Sequence, residues 1–216
     1  MATKEQNFKK IADAGVVAVI RASSKDQLIG ITEALLAGGV PAIEVTMSTP
    51  KAIAGIEMLA DRFGDTAVIG VGTAIDAATA SDAIAAGAQF VVSPVFDEAI
   101  VATVRRYGKI VIPGAFTPTE ILRAWAAGAD VVKVFPSTAL GPQYFKDILA
   151  PLPQLRLTPT GGVDLKNVAD WIKAGAVFVG VGSSCVTRDA LAKNDWATIT
   201  NNAKAFVDAI RAARIK

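Results

Sequence analysis

The stretch DVVKVFPS, residues 130–137, sets a lysine inside an otherwise apolar run. Val131, Val132, Val134 and Phe135 suit a parallel strand covered on both faces. Removing an ammonium from water is costly and lowers the amine's pKa. A lysine at such a position, Lys133, can act as a neutral nucleophile that condenses with a carbonyl to form a Schiff base. In AIEVTM, Glu44 and Thr46 alternate with Ile43 and Val45, so the carboxyl side chain lies on the face opposite the aliphatic ones. Such a carboxyl group can move the protons that dehydrate a carbinolamine and later cleave the adduct. Arg21 ends an apolar segment and offers a planar fork for a carboxylate, and Thr73, at the end of GVGT, adds a hydroxyl donor. Lysine, carboxyl, guanidinium and hydroxyl together suit a 2-keto acid. The bland reading is a buried Lys–Glu pair that neutralises itself, or separate charges on a solvated rim.

Other chemistries are removed by composition. The 216 residues contain no histidine, so Ser-His-Asp and Cys-His nucleophile systems and His-rich zinc sites are out of reach. No carboxylate cluster suggests a magnesium site, and no metal or organic cofactor is expected. One cysteine, Cys185, excludes an internal disulfide and suits a reducing cytoplasm. The net charge of +2 comes from scattered residues with no basic stripe for nucleic acid. Apolar stretches are interrupted well short of the roughly 20 residues a membrane helix needs, and the polar N-terminus lacks the apolar core of a signal peptide. These features lead us to expect a soluble, cytoplasmic protein. A hydrophobic content of 52% points to a large core and a buried subunit interface.

Elements that could position the four groups recur along the chain. LLAGGVPAIEV, IAAGAQFVVSP, WAAGADVVKVF and IKAGAVFVGVG each close a helix on a glycine and run into an apolar strand. Eight strands are expected, over 16–21, 42–47, 67–73, 90–95, 110–116, 130–136, 155–160 and 176–182, with amphipathic helices between them. Alternating β and α units imply a parallel sheet; a doubly wound open sheet fits this pattern, as does a closed (β/α)₈ TIM barrel. Compact repeats and an additional N-terminal helix at 3–14, placed to plug one end, favour the barrel, one domain over 1–216 without an internal linker. Active sites of such barrels lie at the C-terminal strand ends, often with phosphate on the loops after strands seven and eight. There the chain carries TPTGGVDL, with Asp164 placed to cap a helix, and GVGSSCV. Gly161, Gly162, Gly182 and Ser183 would let backbone N–H groups approach an anion.

The ordered set AVIRASS, IEVTMSTP, VIGVGT, FVVSP, IPGAFTPTE, KVFPS, GPQYFK and PTGGV resembles the class I aldolases that cleave 2-keto-3-deoxy-6-phosphogluconate (KDPG) and 4-hydroxy-2-oxoglutarate (KHG). The resemblance spans almost the whole chain. It implies a (β/α)₈ barrel assembled as a homotrimer, acting on a small 2-keto acid and a phosphorylated aldehyde. It also implies Lys133 as the Schiff-base lysine, Glu44 as the acid/base carboxyl, and Thr73 as a pyruvate-carboxylate contact. Pro94, Phe135 and Thr160 match pocket residues, and Gly161, Gly162, Gly182 and Ser183 match the phosphate end. Many members carry a clamping arginine after EVT, where this chain has Ser48; others place one at the end of strand one, so the clamp is assigned to Arg21. KVFPSTALGPQY also resembles the sister aldolases of the 6-phosphogalactonate epimer, whereas EVT and PTGG resemble the phosphogluconate branch. Rival readings are a phosphate-binding isomerase or synthase in which Lys133 acts electrostatically, and a non-enzymatic scaffold.

Overall fold

A computed structural model describes residues 2–215. Helix α1 (Lys4–Ala14) begins at Thr3 in a reciprocal cap with Gln6 and leads into β1 (Val16–Ile20). There follow α2 (Lys25–Ala37), β2 (Ala42–Thr46), α3 (Ala52–Phe63), β3 (Val68–Gly72), α4 (Ala77–Ala85), β4 (Phe90–Val92) and α5 (Glu98–Arg106). Strand β5 runs Ile110–Ile112 and resumes at Gly114–Ala115. The remainder is α6 (Pro118–Ala126), β6 (Val132–Val134), α7 (Gly141–Leu149), β7 (Leu157–Pro159), α8 (Val168–Lys173), β8 (Val179–Val181), α9 (Arg188–Lys193) and α10 (Trp196–Arg214). Among the described residues, no helix is long and apolar enough to cross a membrane.

The four glycine turns behave alike. Gly39, Gly87, Gly128 and Gly175 have φ of 86°, 102°, 101° and 102°, the left-handed region that an L side chain enters only at a cost. In each turn the glycine N–H and the next N–H reach back to carbonyls three and five residues earlier, as in Gly87→Ile84 and Ala88→Ala83. That hydrogen bonding ends the helix and aims the chain directly into the next strand.

All strand pairs are parallel. Strand β1 pairs with β2 and with β8, and pairing continues from β2 through β5. The second part of β5 pairs with β6, and β6 with β7. Bridges Leu157↔Ala176 and Thr160↔Gly180 join β7 to β8 and complete an eight-stranded ring. The open-sheet alternative is thereby excluded. The ladders are shorter than the expected strand spans, and the fifth lapses at Pro113, which has no N–H to donate. Its carbonyl still accepts from the Lys133 amide at 2.9 Å.

Strand parity sorts the core into two layers. Val16, Ala18, Ile20, Ile43, Val45, Val132, Val134 and Val181 face the helices, whereas Val17, Ala42, Val68, Phe90, Val92, Ile110, Ile112 and Phe178 fill the barrel. Phe8 and Ile11 of α1 pack beneath this inner layer and plug its N-terminal end. The last turn of α10 closes over the same end, where Arg214 donates to the carbonyls of Ala12, Asp13 and Val177.

Candidate active site

Above that apolar plug the barrel interior becomes polar. Glu44 and Lys133 both point inward from β2 and β6 and are only 3% and 6% exposed. Burial holds the Lys133 ammonium below its usual pKa, an effect opposed by Glu44 and reinforced by Arg21. The Glu44 carboxyl is raised, again chiefly by burial, with Lys133 and Arg21 opposing. Both shifts favour neutral forms, an amine that can attack and an acid that can donate. Among the described residues no ion pair within 4 Å joins the two. Lys133 Nζ instead lies 4.8 Å from the centre of the Phe135 ring. Together with Thr158, Thr160, Gly180 and four apolar side chains, the pair lines a cell of about 10 Å³, about the room of one water.

A larger cavity of about 310 Å³ opens at the C-terminal mouth. Arg21, Phe135, Thr160, Gly161, Gly162, Gly182 and Ser183 line it, which gathers seven of the sequence-expected site residues on one wall. Gly161 and Gly162 adopt φ of 91° and 74° after β7. A methyl group on Gly162 would stand 3.0 Å from Thr138 Cα, so the loop is closely fitted as well as left-handed. After β8, the N–H groups of Cys185 and Val186 turn back to the Gly182 carbonyl at 3.0 and 2.9 Å. Ser183 and Ser184 head that turn, and the geometry suits an anion bound by backbone N–H groups.

Other expected residues occupy other parts of the rim. Thr73 follows β3 with φ 62° and is exposed, a strained conformation for a threonine. Pro94, half-buried, follows β4, and its carbonyl packs where Gly114 has no side chain. Ser48 stands 2.7 Å from Thr46 Oγ1, which itself contacts the Ile20 carbonyl at 3.1 Å. Arg21 lines the cavity of the glycine loops, while Thr73 and Ser48 lie outside that lining. Asp164 caps Lys166 and Asn167 in a preceding turn, not α8, because the chain makes a separate turn before the helix begins at Val168.

Several lining residues escaped the sequence reading. Thr158 sits opposite Lys133 in the β6–β7 register and donates to the Phe178 carbonyl at 2.8 Å. Its parity with Thr160 was the available signal. Val19, Val163, Asp164, Gly180 and Ser184 complete the mouth cavity. Among the described residues, no group of three His, Cys, Asp or Glu side chains is arranged to hold a metal. What the arrangement offers is a buried amine and carboxyl on a small cell that shares Thr160 and Gly180 with the open mouth cavity, where backbone donors and one guanidinium lie.

The sequence profile of KDPG and KHG aldolase matches residues 8–202. The chain is 33% identical over 199 residues to the 2-dehydro-3-deoxy-6-phosphogalactonate aldolase of Escherichia coli K12, covering 92% of this chain and 95% of that protein. It is 34% identical over 194 residues to the 2-dehydro-3-deoxy-phosphogluconate aldolase of Treponema pallidum, covering 89% and 92%. The solved structure of KDPG aldolase from Legionella pneumophila, with pyruvate captured as a covalent carbinolamine, matches with a TM-score of 0.86 and 32% identity, covering 93% of this chain and 98% of that one.

Proposed function

Because the chain belongs to the KDPG and KHG aldolase family, we propose that it is a Schiff-base aldolase cleaving KDPG to pyruvate and glyceraldehyde 3-phosphate, with Lys133 as nucleophile and Glu44 as proton carrier. The observation that carries this reading is the desolvated, inward Lys133 facing the buried Glu44 beneath the mouth cavity. Uncharged Lys133 attacks the C2 ketone, and Glu44 supplies the proton with which the carbinolamine oxygen leaves as water. The protonated imine then accepts the electron pair of the C3–C4 bond as the C4 hydroxyl loses its proton. Glyceraldehyde 3-phosphate departs. The enamine carbon regains a proton, and water hydrolyses the imine to pyruvate and free Lys133.

The family resemblance assigns the substrate contacts. Thr73 and Pro94 flank the keto-acid end, with Phe135 and Thr160 along the carbon chain. The phosphate rests on the Gly161, Gly162, Gly182 and Ser183 loops. Arg21 was expected to clamp the keto-acid carboxylate; its position on the glycine-loop cavity instead favours the phosphorylated end. The 6-phosphogalactonate epimer is a second candidate substrate, favoured by the similarity to the E. coli galactonate aldolase. KHG is a third, lacking the phosphate. We also propose a homotrimer, because Ile75, Val95 and Phe116, on the loops after β3, β4 and β5, expose apolar surface at one rim, and a cytoplasmic location, because the single Cys185 suits a reducing compartment.

The test is incubation with pyruvate and borohydride followed by peptide mass spectrometry, alongside retro-aldol kcat/KM on the two phosphorylated epimers and KHG. A reduced pyruvate adduct on Lys133 is expected. No adduct on a folded protein would favour an isomerase or synthase barrel, and inactivity across keto-acid and aldehyde pairs would favour a scaffold. Light scattering on the purified protein reads the assembly, with a monomer overturning the trimer.

A further inference from the structure

Resting on the aldolase reading, the structure also bears on how Glu44 is kept apart from the lysine it serves. Glu44 pairs in register with Gly70, and the following inward position on β3 is Gly72. Strand side chains lean along the strand, and the Glu44 side chain leans over Gly72. A methyl group built on Gly72 would overlap Glu44 Oε1 and crowd its Cδ and Cγ at 2.6 and 2.7 Å. Among the described residues, no ion pair within 4 Å holds the carboxyl. Its seat is the space left by the absent side chain. The charged groups acting on it are Lys133 from β6 and Arg21 from just past the end of β1.

We propose that Gly72 is a positioning residue for the aldol chemistry: its bare backbone gives the Glu44 carboxyl a seat against β3 and keeps it out of ion-pair distance of Lys133. A direct pair would stabilise ammonium and carboxylate together, removing both the nucleophile and the acid. Gly70 supplies an internal control on the same face. A methyl there meets the Phe90 ring at 2.5 Å, so its nearest neighbours are atoms of Phe90 and not of Glu44.

The experiment compares Gly72→Ala, Gly70→Ala, Glu44→Ala and the Gly72→Ala/Glu44→Ala double variant. Two readouts are used: pH-dependent acetylation of Lys133 by acetic anhydride, read by mass spectrometry, and the rate of borohydride-trapped pyruvate adduct. In Gly72→Ala the displaced carboxyl pairs with Lys133. The acetylation midpoint should then rise by about one pH unit or more, and trapping at neutral pH should slow about tenfold, one unit corresponding to a tenfold change in free amine. KM should change less than kcat. Gly70→Ala should lower the melting temperature and leave the midpoint in place. With Glu44 already truncated, Gly72→Ala should add nothing to either readout. If Gly72→Ala does not fold, recovery of folding in the double variant supports the collision with Glu44, and failure of the double to fold overturns it. An unmoved midpoint in folded Gly72→Ala, or the same shift without Glu44, also overturns it. Acetylation needs no aldolase activity, so a wild type that forms no pyruvate adduct refutes the functional reading without deciding the role of Gly72.

Discussion

Replacing the buried pair by apolar side chains, Lys133→Met with Glu44→Met, should abolish the pyruvate adduct and make the protein more stable. Both groups are almost fully buried among Val17, Val92, Ile112 and Phe178, and neither is compensated by a direct ion pair. Exchange of buried ionic groups for apolar ones of similar volume is commonly neutral or stabilising by about 1–4 kcal/mol. At roughly 2–4 °C per kcal/mol for a chain of this size, the melting temperature should rise by about 2–16 °C. The pH dependence follows from the two shifts. Lys133 has a folded pKa below its ordinary value of 10.5, so between the two the unfolded chain binds more protons and stability rises with pH. Glu44 has a folded pKa above 4.5, so as pH climbs from 4.5 through that folded value the folded chain binds more protons and stability falls. The wild type therefore carries both penalties in the neutral range. The stabilisation should be largest there, and shrink toward pH 4.5 as the Glu44 penalty fades and toward pH 10.5 as the Lys133 penalty fades. Scanning calorimetry from pH 4 to 11, with urea unfolding at pH 7, measures it. A double variant less stable than wild type across that range, or a difference independent of pH, would refute the reasoning.

Arg21→Met should lower kcat/KM for the phosphorylated substrate by about 10–100-fold, from the loss of about 1.5–3 kcal/mol of charged hydrogen bonding, and hardly change it for KHG; equal losses would return Arg21 to the carboxylate shared by both substrates. Gly162→Ala forces a left-handed alanine against Thr138, and should cost about 1–2 kcal/mol and roughly 2–8 °C in thermal unfolding, whereas an unchanged melting curve would show that the loop relaxes freely. Burial pushes the Cys185 thiol up to about 12, so iodoacetamide at pH 8 should leave the native protein unlabelled while the urea-unfolded chain reacts; mass spectrometry decides, and rapid native labelling contradicts the burial.

What could be read from the chain follows strand parity. Alternation in VVKVF and AIEVT was enough to send Lys133 and Glu44 inward, and glycines after four helices marked turns that the backbone adopts. Parity stops being informative where a strand ends. Arg21 lies one residue past β1, so its membership of the mouth cavity depends on the path of the following loop. Thr138 reaches the glycine loop from the turn after β6, a meeting with no local pattern. Thr158 had the right parity, but a hydroxyl is cheap to bury and does not stand out as a lysine does. Ring closure was likewise a matter of three-dimensional registry, since alternating units occur in open sheets as well. The lapse at Pro113 was foreseeable from proline's missing donor, whereas the continued use of its carbonyl by Lys133 was not.

The Arg214 guanidinium fastens the last helix to the end of the first, through Ala12 and Asp13, on the face opposite the substrate mouth. This gives the molecule a handle and a working face. Tethers, fusion partners or a surface linkage attached beside α1 and α10 would leave the cavity unobstructed.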